Sequence, residues 1–262
     1  MKRIAAILAL ASIAVLGGCA SQPAAPPAAS ASTPPADTLT GDLTIYAAAS
    51  LKKAFDELAT EFEKAHPAVH VVPIVYDGSS TLATQLIEGA RADVFASADE
   101  ANMQKVVDAR LATDPEPFAT NTLVIATPAG NPGEVENLAD LADDSVTVVL
   151  CAVEVPCGAA SRTLLANAGL TVTPASYEQN VTAVLTKVAA GEADAGLVYV
   201  TDVKGRNDVE SIVPEGASDV VNEYPIAALK DAANPDAATA FAQFVLGAQG
   251  QGVLAGLGFG AP

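Results

Sequence analysis

From residue 43 onward, short apolar runs alternate with longer stretches in which apolar residues recur every three or four positions. The first pattern is that of buried strands, the second that of helices with one buried face. Residues 43–47 read as a strand. The helix after it carries Leu51, Ala54, Phe55, Leu58 and Phe62 on one face, with Lys52, Lys53, Asp56, Glu57 and Glu63 mostly outside. Pro67 requires that helix to stop near Ala65. Residues 69–75, rich in β-branched side chains, are the next expected strand, and a second helix carries Leu82, Leu86 and Ile87 and stops at Gly89.

The same alternation continues. Residues 93–98 form a buried strand leading into a helix around 103–107, and strands are expected over 122–127 and 146–150. Helices follow over about 159–167, closed by Gly169, and over 181–190, ended by Gly191; strands follow over 195–200 and 220–229. Asn234-Pro235 then opens a C-terminal helix, with Asn at the cap and Pro at the first helical position. Strands alternating with helices predict an α/β protein built on doubly wound parallel sheets. Ala92-Asp93-Val94-Phe95 and Ala193-Asp194-Ala195-Gly196-Leu197 each follow a glycine-ended helix, which suggests two lobes of related topology.

The N-terminus stands apart. Lys2-Arg3 precedes an apolar run over 4–16, too short to be a settled membrane span, and Leu16-Gly17-Gly18-Cys19 resembles the lipobox of bacterial lipoproteins. Residues 1–18 are expected to be a signal peptide and Cys19 the lipidated first mature residue, placing the protein outside the cytoplasm on a membrane anchor. Residues 19–40 are mostly Ala, Pro, Ser and Thr without apolar periodicity and read as a disordered linker.

Cleavage would remove two of the 13 basic side chains and none of the 31 acidic ones, leaving a formal charge near −20. Such a surface disfavours nucleic acid and anionic lipid headgroups as partners. It also repels small anions, so any anion has to be held by local dipoles. Two segments offer them: Ala47-Ala48-Ala49-Ser50-Leu51 and Gly78-Ser79-Ser80-Thr81-Leu82 each place serine where a strand ends and a helix begins. A helix start presents unpaired N–H groups and the positive end of the helix dipole, and serine adds a hydroxyl. Ser50, and Ser79 or Ser80, also fit as helix caps.

Cys151 and Cys157 are the remaining thiols, and an exported protein is expected to pair them in a short disulfide loop. A zinc pair is the alternative, for which His66 and His70 leave the ligand set short. Asp93 and Asp99 invite a catalytic-pair reading, but with no base or metal nearby, loop capping is the expected role.

From residue 43 to the C-terminus the chain resembles the substrate-binding component of molybdate ABC transporters. The resemblance is carried by Ala47-Ala48-Ala49-Ser50-Leu51, Ser79-Ser80-Thr81-Leu82, Ala92-Asp93-Val94-Phe95-Ala96-Ser97-Ala98-Asp99, Val155-Pro156-Cys157-Gly158, Gly196-Leu197-Val198-Tyr199, Glu223-Tyr224-Pro225 and Gly258-Phe259. It implies a type II periplasmic-binding-protein fold, two α/β lobes joined by crossover strands around a cleft. By position, lobe 1 is 41–122 plus 222–262 and lobe 2 is 123–221. The resemblance also implies the ligand set: Ser50 and Ser79 through hydroxyl and backbone N–H, Cys157 and Val181 through backbone N–H, and Tyr199 through its phenol. Cys157 stands where that family often has alanine, and the cysteine pair is the main departure.

The function this implies is a lipid-anchored, monomeric receptor that takes no cofactor, captures molybdate and tungstate, and delivers them to an ABC permease. Sulfate or another small tetrahedral oxyanion is the alternative ligand. A serine hydrolase would need a base near its nucleophile and finds two histidines in one turn region and no Gly-x-Ser-x-Gly elbow. A structural or adhesive lipoprotein with a vestigial cleft is a third class, separable by its indifference to oxyanions.

Overall fold

A computed structural model describes residues 38–262; residues 1–37, which hold the expected signal peptide, Cys19 and most of the linker, lie outside the described residues. In chain order the first elements are β1 (Gly41–Leu43), β2 (Ile45–Ala48), a 3-10 turn (Ala49–Leu51) and α1 (Lys52–Ala65). They are followed by β3 (Val69–Val71), β4 (Val75–Asp77), α2 (Ser79–Ile87), β5 (Val94–Ala96) and α3 (Glu100–Asp108). The expected strand over 69–75 is thus two strands: β3 pairs with β1, and β4 with β2. Pro73, between them, has no N–H to give a ladder.

The chain then crosses the molecule in β6 (Glu116–Pro128) and builds β7 (Val148–Cys151), α4 (Pro156–Asn167), β8 (Ser176–Glu178), α5 (Val181–Ala189), β9 (Ala195–Tyr199), α6 (Val200–Val203) and β10 (Val209–Ile212). It returns in β11 (Val221–Ala228) and ends in α7 (Pro235–Leu246) and α8 (Ala248–Leu257). The single C-terminal helix expected from sequence breaks at Gly247, which is extended (φ −74°, ψ 168°).

The main sheet runs β4-β2-β5-β11-β6-β9-β7-β8, with β10 on β6. Its outer strands are parallel as expected. At the centre the parallel expectation fails: β11 is antiparallel to β5 and β6, and β6 to β9 and β10. The reason is the route, because β6 carries the chain out of the first half and β11 carries it back. Residues up to Thr122 of β6 pair with β11, and residues from Leu123 pair with β9.

Burial follows the same division. One core is built from residues between Leu123 and Val220. Another joins the apolar face of α1 to β11, α7 and α8, with Phe62 edge-on to Phe241 at 5.2 Å and Phe55 at 5.9 Å from both Phe118 and Phe241. Aromatic contacts of this kind add to plain area burial. A third, smaller core lies under α2 and α3. These cores leave the carboxyl ends of the parallel strands, and the helix starts that follow them, facing one another. That is where open α/β sheets bind ligands.

Candidate functional site

Six junctions line one small cavity of about 10 Å³: β2 to the 3-10 turn, β4 to α2, β7 to α4, β8 to α5, the end of β9, and Ala98 between β5 and α3. Each of the first four presents a helix start. Ser50, Ser79, Cys157, Val181 and Tyr199, the five positions singled out in the sequence, all line it.

The serines do not cap their helices. Gly78, extended at φ −59° and ψ 137°, takes the cap position, so Ser79 is the first residue of α2. Ala48 does the same for the 3-10 turn that holds Ser50. Each serine therefore sits in a first turn, where its own N–H has no partner within the helix. Ser79 is fully buried and its Oγ accepts the Ala98 N–H at 2.9 Å, which leaves the hydroxyl proton free to be given elsewhere. Ser50 Oγ lies 3.1 Å from Tyr224 Oη.

On the opposite side, α4 starts at Pro156, three residues earlier than the sequence pattern suggests. Proline has no N–H and suits a first helical position, so Cys157 supplies the first donor of that helix. Cys157 is disulfide-bonded to Cys151, with Cα atoms 5.8 Å apart, which ties the start of α4 to the end of β7. Val181 opens α5 behind Asn180, whose Oδ1 caps the helix by accepting the Ala183 N–H at 2.9 Å. The Tyr199 backbone N–H donates to Asp202 at 2.9 Å, and its hydroxyl is buried without a hydrogen-bond partner among the described residues.

Among the described residues, none that lines the cavity is a lysine, arginine or histidine. Asp77 is the carboxylate in that lining, and its Oδ1 accepts the Gly78 N–H at 2.7 Å and Asn180 Nδ2 at 2.9 Å. Burial raises the Tyr199 phenol well above the usual range, with Tyr224 and the carboxylates of Asp99 and Asp202 adding to the effect. Burial likewise raises Tyr224. Both phenols therefore keep their protons at any physiological pH and serve as neutral donors. The arrangement can hold an anion by hydrogen bonds and helix dipoles alone.

The other candidates have structural work. Asp93 accepts the Thr44 N–H at 2.7 Å and the Asn234 N–H at 3.0 Å. Asp99 caps α3 by accepting the Asn102 N–H at 2.9 Å. His70 lies on the surface beside Glu63 at 3.2 Å. Among the described residues no cluster of three or more His, Cys, Asp and Glu is placed to hold a metal.

The sequence profile of the bacterial extracellular solute-binding proteins matches residues 43–260. The chain belongs to that family. It is 45% identical over 223 residues to the molybdate-binding protein ModA of Mycobacterium tuberculosis, covering 84% of this chain and 85% of that one. Among solved structures, it resembles the periplasmic molybdate-binding protein of Azotobacter vinelandii with a TM-score of 0.73 at 22% identity, over 84% of this chain and 99% of that one. It also resembles the sulfate-binding protein SubI of Mycobacterium tuberculosis, with a TM-score of 0.69 at 17% identity over 83% and 86% of the two chains. Both structural likenesses show the fold, that of the periplasmic binding proteins. As a family member the chain is a solute-binding protein and not an enzyme.

Sequence reasoning missed Asp77 and Asn180 in the lining, and behind it Tyr224, which meets Ser50, and Asn121, whose Nδ2 lies 3.4 Å from Tyr224 Oη. Asn180 could have been found as a polar cap directly before the helix at Val181. The partners of the other three lie 80 to 174 residues away, and no local pattern signals such pairing.

Proposed function

We propose that this protein is a lipid-anchored extracytoplasmic receptor that captures molybdate, and tungstate with it, and hands it to the permease of an ABC transporter. The observation that carries the reading is the Tyr199 hydroxyl, buried without a hydrogen-bond partner among the described residues, on a residue that lines the same cavity as four helix starts, in a chain 45% identical to a protein named for molybdate binding. In this reading the hydroxyls of Ser50, Ser79 and Tyr199 and the backbone N–H groups of Ser50, Ser79, Cys157 and Val181 surround the oxyanion.

The donor set favours a ligand without protons of its own. A protonated oxygen would put a donor against donors, an unmade hydrogen bond that costs about 1–3 kcal/mol when buried. Molybdate, tungstate and sulfate are fully deprotonated near neutral pH, whereas phosphate retains a proton. Lobe 1, residues 41–122 plus 222–262, and lobe 2, residues 123–221, close over the ligand, and the closed monomer docks on the permease. Acylated Cys19 holds the receptor at the membrane, with residues 19–40 as the spacer.

Calorimetric titration of the purified protein with molybdate, tungstate, sulfate and phosphate tests the reading. Tight one-to-one binding of the two metal oxyanions, with sulfate and phosphate far weaker, is the expected result. A preference for sulfate would keep the receptor and change its cargo. Absence of heat with all four would overturn the oxyanion reading. Calorimetry suits the chain because it contains no tryptophan to report binding by fluorescence.

A further inference from the structure

Behind Ser50 lies a line of buried polar groups that the ligand set itself does not include. Asn121, on β6, and Tyr224, on β11, are 3% and 0% exposed. Asn121 Oδ1 accepts the Thr122 N–H at 3.0 Å, which settles which way the carboxamide faces. Its Nδ2 then donates to Thr201 Oγ1 at 2.8 Å and points its other proton at Tyr224 Oη at 3.4 Å. The second contact is long, but its polarity is unambiguous: a donor faces the phenol oxygen.

A phenol has one proton to give. It cannot be given toward Asn121 Nδ2, which is itself a donor. Among the described residues, the one other group within hydrogen-bond distance of Tyr224 Oη is Ser50 Oγ at 3.1 Å, the neighbouring Tyr199 hydroxyl lying beyond that range. Tyr224 therefore donates to Ser50, and the one proton of Ser50 is left for the cavity that Ser50 lines. Without this arrangement a serine hydroxyl is free to rotate and to act as acceptor or donor.

We infer that Asn121 and Tyr224 are positioning residues: through one-way hydrogen bonds running from Asn121 to Tyr224 to Ser50, they make Ser50 a donor toward the bound oxyanion. The inference rests on the oxyanion reading of the site and deepens it, since it names why one ligand oxygen has to be bare. It also places the control of a first-contact hydroxyl on the two strands that cross between the halves of the molecule.

The test is a pair of double-mutant cycles read by titration with molybdate. Tyr224→Phe is expected to weaken binding about tenfold, the equivalent of one neutral hydrogen bond. Because it acts only through Ser50, the same change made in a Ser50→Ala background is expected to alter affinity by less than about twofold. Asn121→Leu, which removes the donor at similar volume, is expected to behave the same way, with a smaller fall that disappears in the Ser50→Ala background. Circular dichroism confirms that each variant folds, and if Tyr224→Phe does not, the Asn121 cycle alone carries the test. Equal losses in both backgrounds, or undiminished affinity in both single variants, would overturn the inference while leaving the receptor intact. Failure of the unsubstituted protein to bind molybdate would instead overturn the receptor reading, and this inference with it.

Discussion

Asn180 Nδ2 donates to Asp77 Oδ1 at 2.9 Å, joining the residue before the start of α5 to the end of β4, 103 positions earlier in the chain. The same asparagine uses its Oδ1 to cap α5, so one side chain both finishes a helix start and bridges the two sides of the cavity. Asn180→Asp preserves the cap acceptor and sets a second carboxylate against Asp77. It is expected to reduce molybdate affinity more than Asn180→Ser does, as titration of the two variants would show. Parity between them would mean that the bridge is incidental to binding.

Ser50 and Ser79 look equivalent in the sequence and are not equivalent in the fold. Ser79→Ala removes the acceptor for the buried Ala98 N–H, a loss of about 1–3 kcal/mol in stability in addition to any loss in ligand affinity. Ser50→Ala leaves every backbone group paired but takes from the buried Tyr224 hydroxyl the oxygen it donates to, a loss of the same order that adding Tyr224→Phe relieves. Thermal unfolding without ligand should therefore show a lower midpoint for both single variants, recovered by Tyr224→Phe only in the Ser50→Ala background, while titration shows weaker binding in both.

Gly78 lies against the opposite side of the cavity so closely that a Cβ at that position would sit 2.1 Å from the Gln179 carbonyl oxygen. Its own backbone angles are ordinary for any residue, so in the proposed closure of the lobes the conflict arises only when the two sides meet. Gly78→Ala is expected to keep ligand-free stability near that of the parent and to lower oxyanion affinity by at least tenfold, with small-angle scattering showing a more extended particle in the presence of ligand. Unaltered affinity would show that the Gln179 segment yields readily.

Reduction of Cys151–Cys157 frees a seven-residue loop whose closure stabilises the fold by about 2 kcal/mol on the chain-entropy estimate. The loop also fixes where the Cys157 N–H points. Paired Cys151→Ser and Cys157→Ser substitutions are expected to lower the unfolding midpoint and to weaken molybdate binding. Binding as tight as in the oxidised protein would assign the disulfide to stability alone.

What the sequence disclosed was local. The apolar face of α1, the glycine-ended helices and the serine positions follow from spacing within a dozen residues, and the structure has them close to where that spacing puts them. The strands that escaped notice, β1, β8 and β10, are three or four residues long and partly polar, so they carry too little alternation to stand out. The expectation that the serines act as caps failed because a residue before each of them, Gly78 or Ala48, already adopts the extended backbone a cap requires. The antiparallel centre of the sheet was hidden for a different reason: the direction of β6 and β11 is decided by which half of the molecule each strand leaves, not by any feature of their residues. Long-range partners such as Ser50 and Tyr224 become visible only once those crossings are known.

The crossing in β6 has one more implication. Its partners change between Thr122, which pairs with β11, and Leu123, which pairs with β9, so the ladder is handed from one half of the main sheet to the other across a single peptide link. In the proposed closure of the lobes this link is a pivot for the swing, alongside the start of β11 at Val221, which pairs with Thr122. Asn121 stands at that pivot and is two hydrogen bonds away from Ser50. In the proposed receptor the joint of the jaw and the tooth that grips the cargo are thus wired to each other, and a change in the pitch of the joint is expected to be felt as a change in grip.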